Sequence, residues 1–167
     1  MTDKTLGKIY LEELEAEVEA TRKCLERMPV EKLHDWKPHE KSMQMGYLAQ
    51  ICAEIPRWIS YIIEKGEIDF ATFEHTEIKT TEDLVKFFDK NMESVKIALQ
   101  KVSDEELDKT FSLKNKGELL ASSSKKESIS SSINHLVHHR GQLTVYMRLN
   151  NIPVPKIYGP SADEKGF

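Results

Sequence analysis

Apolar positions recur every three or four residues through four stretches of this chain. Over residues 6–28, Leu11, Leu14, Val18, Leu25 and Met28 fall on one stripe, Thr21 fills the gap, and acids crowd the opposite face. That spacing predicts an amphipathic helix, closed by Pro29. Residues 29–41, with Trp36 and Pro38, read as a connector. Ser42 is placed to cap a second helix that runs to about Lys65 and stops at Gly66. Its stripe is Met45, Leu48, Cys52, Ile55, Ile59 and Ile62. Pro56 sits inside it and cannot donate to the carbonyl of Cys52, which predicts a kink.

Residues 67–79 read as a loop. Thr80 or Thr81 caps a third helix carrying Leu84, Phe88, Val95, Leu99 and Val102. Residues 104–123 are less regular, and the brief alternation around Asn115-Lys116-Gly117 predicts a small hairpin. "SKKE", 124–127, is a capping box that opens a fourth helix running to about Asn150. Residues 150–167 hold three prolines and should form an extended tail. No internal repeat is present, so residues 1–167 are expected to form a single domain. The predicted fold is an all-α four-helix bundle with a long, hairpin-containing connection before the last helix.

Composition narrows the classes. Hydrophobic residues make up 39% and charged residues 31%, which suits a packed domain rather than a disordered chain. The formal net charge is −4, with Lys and Arg scattered among acids. That distribution argues against a nucleic-acid partner. No apolar run approaches the roughly 20 residues that span a bilayer, and the N-terminal stretch lacks a signal-peptide core. A cytoplasmic protein without a membrane partner is the expectation. Cys24 and Cys52 make no disulfide framework by themselves.

The candidate chemistry lies in "NHLVHHRGQL", residues 134–143. On a helix, taking His135 as zero, His139 lies at about +40°, Gln142 at about −20° and Tyr146 at about +20°. These four share one polar stripe beside the apolar stripe of Ile129, Ile133, Leu136, Leu143 and Met147. His138 points about 60° to the other side. Histidines at i and i+4 can bring two imidazole nitrogens to one divalent metal such as zinc or nickel. A catalytic zinc wants about three protein ligands, so the pair alone is incomplete. Solvated or hydrogen-bonded core histidines are the plainer alternative. Arg140 lies off the stripe, which favours a structural or interface ion pair. Cys52 reads as a small core hydrophobe, and Trp36 and Trp58 as packing anchors.

The string "NHLVHHRGQLTVYMRLNNIPVPKIYGPSADE", 134–164, resembles the last helix and tail of the DinB/YfiT-like family, and "WKPHEKSMQMGYLAQICAEIPRW", 36–58, resembles its second helix. The resemblance implies an antiparallel-type four-helix bundle, often a homodimer. It also implies a divalent metal at one end of the bundle, held by one histidine of the second helix and two of the fourth. By position the latter are His135 and His139. Family members with known activity are mostly thiol-dependent transferases or isomerases using a low-molecular-weight thiol such as bacillithiol or mycothiol, and many others are described as metal-dependent hydrolases. In such a site Gln142, Tyr146 and His138 would bond a substrate or orient a ligand.

The chain departs from the family at one place. Where the family has "SMxxGxLAxHxAEIPxW", this sequence has "SMQMGYLAQICAEIPRW", and the histidine position holds Ile51. Isoleucine offers no donor atom. A third ligand would have to come from Cys52, displaced about 100° around the helix, from Glu54, or from a loop histidine, His34, His39 or His75. Otherwise the protein keeps the bundle without metal chemistry, as a dimeric ligand-binding or stress-response member of the fold.

Overall fold

The computed structural model describes residues 4–166. Helix α1, Leu6–Glu26, starts at Thr5, whose hydroxyl accepts from the Lys8 amide. It ends two residues before the expected Met28. Pro29 disfavours helical backbone at the residue before it, so the helix closes at Arg27. The expected connector then holds a single-turn helix, α2, Val30–Leu33.

Helix α3, Met45–Lys65, has Gln44 rather than Ser42 at its N-cap, and no side-chain cap bond. Its first free amides are satisfied by the connector instead. Met45 N donates to Trp36 O (2.8 Å) and Gly46 N to His34 O (2.9 Å). A Cβ on Gly46 would lie 2.3 Å from His34 Cδ2, so only glycine lets the connector lie this close. The helix runs unbroken through Pro56 and closes on Gly66 in the left-handed region, φ 72°.

The stretch after α3 is not only loop. Strand β1, Glu67–Asp69, pairs in parallel with β2, Thr110–Asn115, which pairs antiparallel with β3, Glu118–Ser124. The predicted hairpin is therefore two strands of a three-stranded sheet in the order β1-β2-β3. Its turn places Lys116 (φ 51°) and Gly117 (φ 79°) in the left-handed region, as a two-residue primed turn requires. The Asp69 carboxylate accepts from both turn amides, at 2.9 and 2.7 Å. The fold is thus mostly helical with a small sheet, not all-α.

Helix α4, Thr81–Lys101, is capped by Thr80, which accepts from Asp83 N. A one-turn helix α5, Asp104–Leu107, precedes β2. Helix α6, Lys125–Leu149, opens with the predicted capping box: Ser124 Oγ accepts from Glu127 N, and Glu127 accepts from Ser124 N. Helices α1 and α3 each pack on both α4 and α6. Leu14, Leu48, Ile55, Ile59, Phe88, Leu99 and Leu143 are fully buried between them. The tail beyond α6 has no regular structure and is tied back by ion pairs of Arg148 with Asp163 and Arg27 with Glu164.

Among the described residues no helix is long and apolar enough to cross a membrane.

Candidate functional site

Helix α6 brings the two predicted histidines together. His135 Nε2 and His139 Nε2 lie 2.6 Å apart, and His139 Nδ1 lies 2.8 Å from Gln142 Oε1. An amide oxygen only accepts, so Nδ1 of His139 carries the hydrogen. In a neutral ring its Nε2 is then an acceptor, and His135 Nε2 must donate to it. The result is a directed chain from His135 through His139 to Gln142. Burial comes first, then the neighbouring His139 and His138, in disfavouring a charge on His135 and lowering its pKa. The tilted ring of His138 lies 5.1 Å from that of His139. Tyr146, the fourth member of the stripe, turns to the connector and meets Trp36 edge-on at 5.5 Å.

A second polar pair comes from α3 and the loop after β1. The Glu54 side chain is 1% exposed, and its Oε2 accepts from Nδ1 of His75 at 2.9 Å. Arg57 Nη1 stands 3.5 Å from Oε1, which has no hydrogen-bond partner. Burial raises the Glu54 pKa above the ordinary glutamate value, while His75, Arg57 and the Trp58 indole pull it back.

One member of each pair, His135 and His75, lines a cavity of about 200 Å³. Trp58 and Ile62 of α3, Ile68 of β1, and Phe111 and Leu113 of β2 supply apolar walls. Phe70 and Phe73 of the following loop complete them. His75, His135 and Ser132 are the polar members of the lining. The Trp58 ring tilts over His135 at 5.6 Å between centroids. Trp58 is therefore more than a packing anchor; it joins the two polar pairs. His75 also borders a wider groove of about 650 Å³ between α3 and α4. The aromatic lining went unread in the sequence. The cluster Phe70, Phe73 and His75 within six residues was its one local signal.

The other ligand candidates lie elsewhere. Ile51 is buried, 6% exposed, in the place the family gives a histidine. Cys52 is wholly buried in the apolar core, where desolvation and the nearby Cys24 hold its thiol protonated. Glu54 is spent on His75 rather than on the α6 pair. His34 bonds Asp35 and packs on Gly46, and His39 accepts from Lys41 N. Arg140 is structural, as its place off the stripe suggested: it binds Glu17, Thr21 and Tyr158. Among the described residues no three His, Cys, Asp or Glu side chains are arranged to hold a metal ion. The donor set near α6 is two imidazole nitrogens, with Ile51 in place of a third donor. It does not fit a resident three-ligand metal.

Comparison with known proteins places the chain. The DinB family model matches residues 1–165. A DinB-like protein of Bacillus subtilis has a similar structure, with a TM-score of 0.69 and 19% identity over 89% of this chain and 96% of that one. A DinB-like protein of Bacillus cereus ATCC 10987 gives a TM-score of 0.67 and 23% identity over 89% and 95%. The uncharacterized protein YrdA of Bacillus subtilis strain 168 is 56% identical over 32 residues. That match spans 19% of this chain and 19% of YrdA.

Proposed function

This chain belongs to the DinB family, and from that premise we propose that it is a small-molecule-binding member whose ligand enters the aromatic cavity beside His135. Its four long helices pack on one another, and the small sheet walls the cavity on one side. The observation that carries the reading is the cavity itself: apolar and aromatic walls with a few polar groups, the usual make-up of a ligand site. Cavities of about 150 Å³ lined by Leu, Ile and Phe take up benzene, so about 200 Å³ admits a substituted aromatic ring. The transferase or hydrolase chemistry implied by the resemblance relies on a metal with three protein ligands. Ile51 removes one of them, so that chemistry is not carried over.

The test uses the cavity's own reporter. Trp58 lines it, and the chain has one other tryptophan, Trp36. Toluene should shift Trp58 fluorescence saturably and raise Tm. A Leu113→Trp variant, which fills the space, should abolish both changes. Absence of saturable toluene binding in the parent protein would overturn the reading.

A further inference from the structure

We propose that the cavity takes a neutral aromatic ligand bearing one hydroxyl donor, of the phenol type, and that His75 accepts its hydrogen; this rests on the cavity reading above. Glu54 fixes the imidazole. Its carboxylate is buried and accepts the Nδ1 hydrogen of His75 at 2.9 Å, with Arg57 at 3.5 Å favouring the ionised form. With Nδ1 committed as a donor, a neutral ring leaves Nε2 as a bare acceptor, the only polar atom of the ring still free. The same ring lines the cavity whose other walls are aromatic and aliphatic.

The remaining polar lining includes one other bare acceptor, Nδ1 of His135, whose ring has no carboxylate behind it. Ser132 Oγ donates to the Ser128 carbonyl at 2.8 Å, which uses its hydrogen. His135 Nε2 donates to His139, as the relay to Gln142 requires. Apart from the Trp58 indole N–H, the polar lining therefore offers an anion no donor, and it has a fixed acceptor for a hydroxyl. A buried carboxylate stands just behind that acceptor, which further disfavours an anionic ligand.

The experiment compares toluene, phenol and benzoate by Trp58 fluorescence at pH 8, with the parent protein and a His75→Phe variant. His75→Phe takes the hydrogen-bond partner from the buried Glu54 carboxylate and should lower Tm, so unchanged toluene affinity is the check that the cavity stays intact. Phenol should bind about tenfold tighter than toluene to the parent, the scale of one good hydrogen bond. The preference should vanish in His75→Phe while toluene affinity stays. Nitrogen NMR of the parent should show His75 protonated at Nδ1 and bare at Nε2. Equal binding of phenol and toluene would overturn the role of His75 but leave the cavity reading standing. Benzoate binding best would mean a charged ring and overturn the neutral-hydroxyl ligand. No binding of any probe would overturn both.

Discussion

His139 and Arg140 are adjacent on α6 and both are buried, at 8% and 2% exposure, yet they belong to different kinds of site. Arg140 is fully engaged. Its Nη1 donates to the Glu17 carbonyl and to Thr21 Oγ1, and its Nη2 meets Tyr158 Oη at 2.8 Å and Glu17 Oε2 at 2.6 Å. It ties α6 to α1 and to the tail. On the other side, the His135–His139–Gln142 chain ends at an apolar cavity whose lining also holds His75, bonded through one ring nitrogen to the buried Glu54 and leaving the other without a partner. Buried polarity alone does not separate the two. Spare hydrogen-bonding capacity next to empty space does.

The sharpest way to break this comparison is to remove each side in turn. Arg140→Ala leaves Glu17 partly buried without its cation, and should cost about 3–5 kcal/mol in urea unfolding. His135→Ala removes an exposed ring but leaves the buried His139 Nε2 without its donor, and should cost only about 1 kcal/mol. Equal costs would mean that the histidine chain is as structural as the arginine network.

A second substitution sharpens the contrast by supplying the missing donor. Ile51→His restores the family's histidine on α3. Apparent folding free energies of four-ligand zinc sites correspond to about 3 kcal/mol per ligand, so zinc affinity should rise roughly a hundredfold. Competition against a chelator measures it. Without zinc, a histidine in this buried position should cost about 1–3 kcal/mol. If the parent already binds zinc as tightly as the variant, another donor completes the pair and the metal misfit drawn above is wrong.

What the sequence disclosed follows from how local each feature is. The Ser124–Glu127 capping box, the Thr80 cap, the Gly66 stop and the Lys116-Gly117 turn are written in neighbouring residues, and each forms as expected. Ser42 has the right chemistry for a cap but loses to Gln44, because connector carbonyls from His34 and Trp36 satisfy the first turn. Strand β1 is three residues long and gains its partner from β2, more than forty residues later, so no period reveals it. The site divides in the same way. His135 and His139 sit four apart on one helix and were legible. Cys52 is one step around α3 from Ile51, and that step turns it towards Cys24 and the Arg140 side. Glu54 and His75 are 21 residues apart and meet only because the segment after β1 folds back over α3.

The smallest expected effect tests the unpartnered oxygen. Burial holds the Glu54 pKa above its unfolded value, so the folded state binds more protons than the unfolded state across the interval between the two. Stability from this group is present below the unfolded value, near 4.3 for a free glutamate, and falls as pH rises through the raised folded value. Glu54→Gln removes that titration while keeping an oxygen to accept from His75. At pH 4 the two proteins should unfold at nearly the same urea concentration. By pH 7 the variant should be the more stable by about 1 kcal/mol, the lower end of the cost of a buried polar group left unpaired. A variant less stable than the parent at pH 7 would mean that the ion pairs of Glu54 with His75 and Arg57 outweigh its burial. Glu54 would then belong with Arg140 as a framework charge, and the contrast between the two faces of α6 would no longer extend across the cavity to α3.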